Sequence, residues 1–124
     1  MVYRSASEGG APASDAVAKP ATPADAIHQL DPEVVASLLR RADALIASGD
    51  VAAARLVLRR AAEAGDADAA MALAGTYDPA NLAKLRVRGI VPDLAMARSW
   101  YEKAKAFGSA EAPRRLEMLA SKRR

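Results

Sequence analysis

Displaced by 43 residues, part of this chain lands on itself. The stretch DVAAARLVLRRAAEAGDADAAMAL, from Asp50, aligns with DLAMARSWYEKAKAFGSAEAPRRL, from Asp93. Asp50 then meets Asp93, Ala54 meets Ala97, Arg55 meets Arg98, Ala61 meets Ala104, Gly65 meets Gly108 and Leu73 meets Leu116. One helix-sized unit cannot bury its apolar face alone. Units recurring at such a spacing stack on their neighbours as a helical array. Surfaces of that kind bind partners far more often than they catalyse, so the repeat predicts an architecture and a general class of function.

The rest of the composition agrees. Hydrophobic residues make up 52% of the 124 residues, but only 4% are aromatic and much of the remainder is alanine. Alanine has the highest helix propensity and lets helices approach closely, which predicts one all-α domain with a thin core. The chain has no cysteine, so disulfides, thiolate catalysis and cysteine-held metals are excluded. Net charge is +3, unevenly spread: residues 1–33 carry two basic and five acidic residues, the remainder sixteen basic and ten acidic. The body is thus mildly basic, without the density of a nucleic-acid-binding arm. No apolar run approaches the roughly 20 residues that span a bilayer, and no signal peptide follows Met1.

Residues 1–29 read as a flexible Ala/Pro-rich linker, because prolines, glycines and small residues without an apolar period cannot offset the entropy of ordering. A start in such a stretch suits a segment of a longer protein. A helical repeat domain is expected over 30–121, followed by a frayed basic tail, 122–124. Asp31, Pro32 and Glu33 open the first helix, with Val34, Val35, Leu38, Leu39, Ala42, Leu45 and Ile46 inward and Gly49 as its stop. The second, Val51 to Ala64, is apolar around most of its circumference, as suits a middle helix, with Arg55, Arg59, Arg60 and Glu63 as one outward stripe. Gly65 ends it, and Asp66 or Asp68 starts a third helix running to about Thr76. Asp78-Pro79 opens a short helix, ANLAKL, before a loop whose Ile90 or Val91 plugs the core. The fourth main helix spans Asp93 to Phe107. Gly108 stops it, and Ser109 caps a fifth with Ala112, Leu116, Leu119 and Ala120 buried.

The run from Ala69 to Ala112 resembles the Sel-one-like repeat, a branch of the tetratricopeptide-like helical repeats. Leu73, Gly89, Asp93, Ala97, Trp100, Tyr101, Lys103, Ala104 and Gly108 carry the resemblance, which covers the last two-thirds of the chain. It departs from the pattern in a longer insert, Tyr77 to Arg88, and in Val57-Leu58 where the Asp50 copy would carry Trp-Tyr. Fewer than three full repeats are present. The resemblance implies protein–protein scaffolding without a cofactor.

Candidate sites are few. Trp100 and Tyr101 read as core aromatics, the phenol finding one polar neighbour. His28 is the single histidine and has no metal-ligating neighbour, so no metal site is expected. Glycoside hydrolysis needs two carboxyls across a cleft. Asp50, Asp66, Asp78 and Asp93 are explained as helix caps, and Glu63, Glu102, Glu111 and Glu117 as surface pairs with nearby basic residues. No catalytic constellation results. Lys84, Arg86 and Arg88 are the notable cluster, in the insert beside Tyr77, because binding residues concentrate in loops on rigid scaffolds. With Arg40 and Arg41 of the first helix they could line an anion-attracting groove, and Tyr77, Arg86 and Arg88 are expected to contribute to the partner surface.

The expected architecture is therefore a short antiparallel helix-hairpin repeat array of about five helices, a tetratricopeptide-like α-solenoid fragment. The expected function is a non-catalytic adaptor that holds a protein or peptide segment. A binder of anionic surfaces or nucleic acid, and a structural module of a longer, membrane-anchored protein, are the alternatives.

Overall fold

A computed structural model describes residues 30–122; the expected leader 1–29, with His28, and residues 123 and 124 of the basic tail lie outside the described residues. Six α-helices follow one another: α1 Pro32–Ala47, α2 Val51–Glu63, α3 Ala67–Gly75, α4 Pro79–Leu85, α5 Leu94–Ala106 and α6 Ala112–Lys122. No strand occurs among the described residues. Five of the six are the expected main helices, and α4 is the short one signalled by Asp78-Pro79.

The helix ends follow from local chemistry. Each of α1 to α5 starts at an aspartate whose carboxylate accepts an otherwise unpaired backbone N–H of the first turn. Asp31 receives Glu33 N at 2.9 Å and Asp66 receives Ala69 N at 2.8 Å. Caps of this kind contribute about 1 kcal/mol each. The 43-residue offset reappears in the bounds and caps of α2 and α5, both 13 residues long. Asp50 Oδ1 accepts from Ala53 N and Asp93 Oδ1 from Met96 N, both at 3.1 Å. At the other end, Gly65 (φ 93°) and Gly108 (φ 106°) take the left-handed backbone that side chains resist. The following amides then bond back to equivalent carbonyls, Asp66 N to Ala61 O and Ser109 N to Ala104 O.

Helix α1 packs on α2, α2 on α3, α3 on α5 and α5 on α6. Only three residues join α1 to α2, so the two pack by doubling back on one another. Flanked by α1 and α3, α2 is the middle helix its apolar circumference requires. The core is mostly alanine: Ala54, Ala61, Ala62, Ala69, Ala70, Ala74, Ala97, Ala104 and Ala112 are wholly buried, around Leu58, Leu73, Trp100, Tyr101 and Leu119. Small side chains at these contacts bring the helices close and leave little space to fill.

Four expectations fail at the edges of this stack. Val34, expected inward, is 40% exposed, and Ala120 is exposed as well. Both lie on end helices with one extensive neighbour each, α2 for α1 and α5 for α6, so only part of their apolar stripe is covered. Val91 does not plug the core: it is 77% exposed, and Ile90 is half-buried outside the main cluster. The fifth main helix starts at Ala112 instead of directly after Ser109; Glu111 O takes its first backbone bond, from Arg115 N, and Pro113 falls in the first turn where no N–H is needed.

Gly75 closes α3 under the side chain of Asn81, whose Nδ2 donates to Gly75 O at 3.0 Å. A Cβ on Gly75 would lie 2.7 Å from that nitrogen. Gly75→Ala is therefore expected to be near neutral: a helix-propensity gain of about 0.5–1 kcal/mol offsets a lost hydrogen bond of about 1 kcal/mol. In an Asn81→Ala background the same change is expected to stabilise by about 0.5–1 kcal/mol, since Asp78 N still bonds Gly75 O. Urea midpoints of the four proteins in this cycle check both figures.

Candidate functional site

Between α3 and α5 the repeat is interrupted by an excursion, residues 78–92, comprising α4 and an irregular loop. Its two ends are tied together. Asp93 N donates to Tyr77 O at 2.9 Å, closing the base. Arg55 of α2 crosses the same point. Its Nε donates to Thr76 Oγ1 at 3.1 Å, and its Nη2 donates to Thr76 O and, at 3.4 Å, to Val91 O. The guanidinium carbon also lies 3.9 Å from the centroid of the Tyr77 ring, a stacked cation–π arrangement. Arg55 was expected in the outward stripe of α2, where its repeat equivalent Arg98 does lie exposed. It turns inward because Thr76 Oγ1 and Thr76 O are part-buried at this junction and its donors satisfy them, while the bond to Val91 O is exposed.

Two further contacts fix the root of the excursion. Asp78 is buried and serves twice: Oδ1 accepts Ala80 N at 3.0 Å as the α4 cap, and Oδ2 accepts the Tyr101 hydroxyl at 2.8 Å. The phenol thus has its single polar neighbour. Burial first, then the hydrogen bond to Asp78, push the Tyr101 pKa well above its ordinary value of 10.0. Thr76, also buried, donates Oγ1 to Leu73 O at 2.7 Å while receiving Arg55. Trp100 is buried in the same cluster, with the Lys103 ammonium 4.3 Å from its ring centroid.

From this anchored root the excursion presents its basic side chains outward. Lys84, Arg86 and Arg88 are all exposed. Arg86 ends α4 in the left-handed region, φ 57° and ψ 32°, the single non-glycine residue with positive φ among those described. Arg86 and Arg88 line an open groove of about 290 Å³, with Leu85 and Val87 on their side and Ile46 to Gly49, at the end of α1, on the other. Arg40 and Arg41 are exposed on α1 but do not line it, nor do Lys84 and Tyr77. Tyr77 is half-buried against the core with Arg55 over one face. Of the six residues singled out from the sequence, the fold thus brings Arg86 and Arg88 together in one groove.

The ion pairs among the described residues are Arg59–Glu63 and Arg115–Glu111, both one helical turn apart. Neither involves Arg40, Arg41, Lys84, Arg86 or Arg88. Among the described residues no three His, Cys, Asp or Glu side chains group at metal-binding distances, and no helix is long and apolar enough to cross a membrane. The residue that sequence reasoning missed is Arg55. Its one signal was position: it is the basic residue of α2 closest to the Asp50 cap, within reach of the insert that breaks the repeat.

Compared with known proteins, the chain matches no family model, no curated protein and no solved structure.

Proposed function

We propose that the chain is a helical-repeat adaptor of the Sel-one-like kind, which holds a protein or peptide segment without chemically changing it. The observation that supports this reading most directly is the anchored basic excursion. Arg55 and the Asp93–Tyr77 bond close its base, while Arg86 and Arg88 stand exposed at its far side beside the end of α1. A loop tied at its base by hydrogen bonds loses less conformational entropy when a partner binds, which favours affinity. The matching caps and stops of α2 and α5 support a repeat origin for the scaffold beneath it.

Surface charges on such a loop steer encounter and set register more than they supply raw affinity. Replacing both arginines by glutamate, Arg86→Glu with Arg88→Glu, is expected to lower recovery of partner proteins at least about tenfold in affinity capture, by reversal of both charges. The melting temperature should stay within a few degrees, since both side chains are exposed and neither forms an ion pair among the described residues. Unchanged recovery would remove the adaptor surface from this face.

A further inference from the structure

Arg86 occupies a backbone conformation that suits glycine, and the groove beside it suggests why arginine is there. At a helix C-cap in the left-handed region, glycine is the favoured residue, because a Cβ crowds the carbonyl. Sparsely populated backbone conformations point toward function when the surroundings do not require the side chain. Here they do not. Among the described residues Arg86 makes no ion pair, and neither it nor Arg88 makes a side-chain hydrogen bond.

The other wall of the groove sharpens the point. Helix α1 has no basic residue in its last turn, and its end forms the wall of the groove opposite Arg86 and Arg88. They do not cap it, however. The carbonyls of Ala44, Leu45 and Ile46 already receive Ser48 N, Asp50 N and Gly49 N, and Ser48 Oγ adds a second bond to Leu45 O. Among the described residues the arginines keep their donors free, in a groove whose other lining is Ile46, Leu85 and Val87 together with Ala47, Ser48 and Gly49. A volume of about 290 Å³ is at the lower end for a small-molecule pocket and suits one or two side chains.

We propose that this groove receives an acidic peptide segment, a carboxylate side chain held by Arg86 and Arg88 with an aliphatic neighbour against Ile46, Leu85 and Val87. Charge complementarity selects the occupant, and planar guanidiniums suit carboxylates, which they can grip with two bonds at once. The inference rests on the adaptor reading and names the chemistry of its partner.

The test uses the full chain and a fluorescein-labelled peptide with a Glu-Leu-Glu centre between Gly-Ser flanks, against a Lys-Leu-Lys control. Anisotropy at low salt should saturate below about 1 mM for the acidic peptide alone, in the range of weak peptide recognition. Arg86→Ala with Arg88→Ala should weaken it at least about tenfold, whereas Arg86→Lys should retain part of it. Arg86→Gly is the discriminating variant: it should raise the melting temperature by about 2–5 °C while weakening the peptide severalfold. A purely structural Arg86 would not couple those two changes in opposite directions.

No saturation by about 1 mM, or binding indifferent to both arginines, would overturn the proposal. So would tighter binding of oligo-thymidine DNA or phosphatidylserine vesicles through the same residues, which would assign the groove to phosphates. If partner capture depends on Arg86 and Arg88 while the acidic peptide does not bind, the adaptor reading stands and this inference alone fails. If neither depends on them, both fail.

Discussion

Tyr101→Ala is expected to remove about 4–5 kcal/mol of folding free energy, a large part of the roughly 5–15 kcal/mol that a domain of this size has. Tyr101 is the largest fully buried side chain, in a core built mostly of alanine with a few leucines and Trp100. Alanine neighbours have no longer rotamers with which to collapse into the space left behind. The loss also leaves Asp78 Oδ2 without its donor, in a site only 4% exposed. Tyr101→Phe separates the two contributions. It keeps the ring and is expected to cost about 1–3 kcal/mol, the penalty for an unsatisfied buried acceptor. Urea unfolding followed by circular dichroism checks both values.

The same residue predicts an alkaline effect. The folded phenol holds its proton above the ordinary value of 10.0, at which the unfolded phenol releases it. Its contribution is thus complete below pH 10 and lost progressively as the pH rises beyond 10 toward the raised folded pKa. The stability difference between the wild type and Tyr101→Phe should shrink over that range. A difference unchanged up to pH 11.5 would contradict the assignment, a value chosen about 1.5 units above the ordinary phenol.

Arg55→Ala is expected to cost about 2–4 kcal/mol, from hydrogen bonds to a charged donor and the stacking on Tyr77. It leaves Thr76 O short of a donor and frees Val91 O, so the effect should concentrate where the excursion joins the stack. The amide of Asp93, bonded to Tyr77 O, should exchange with solvent at least about tenfold faster, while amides within α1 change only with global stability. Arg55→Lys should recover little, because one ammonium cannot span Thr76 Oγ1, Thr76 O and Val91 O. Uniform acceleration throughout the chain would instead place Arg55 in the general core, with no special role in the excursion.

These two residues also mark how far the sequence could be read. Tyr101 was legible because an aromatic at the inward position of a periodic helix has few alternatives to burial. Its partner was not: Asp78 is 23 residues away, and its capping role was already a sufficient account of it. Arg55 was misread because it shares a stripe with Arg59 and Arg60, both of which do face solvent. Periodicity assigns a face to a side chain, but a long arginine at the rim of that face can fold back onto a neighbouring element. Of the candidate binding residues, Arg86 and Arg88 shared a groove because the insert ends beside α1, a proximity no spacing along the chain encodes.

What the sequence by itself determined is the set of helices and most of their ends, the start of α6 excepted. Asp50 and Asp93 start α2 and α5, Gly65 and Gly108 stop them, and the two helices keep a 43-residue offset at both termini. Caps and stops act over three to five residues, so neighbours in the chain suffice to specify them. Tertiary structure alone decided that Arg55 turns in while Arg98 faces out. The reach from Arg55 to Thr76 spans 21 residues and to Val91 36, and the residue 43 beyond Thr76 is Leu119, which offers no hydroxyl. Such pairings form only where stacked helices bring distant polar groups together, as at the part-buried Thr76 oxygens, where a lost partner would cost more than ordering the arginine.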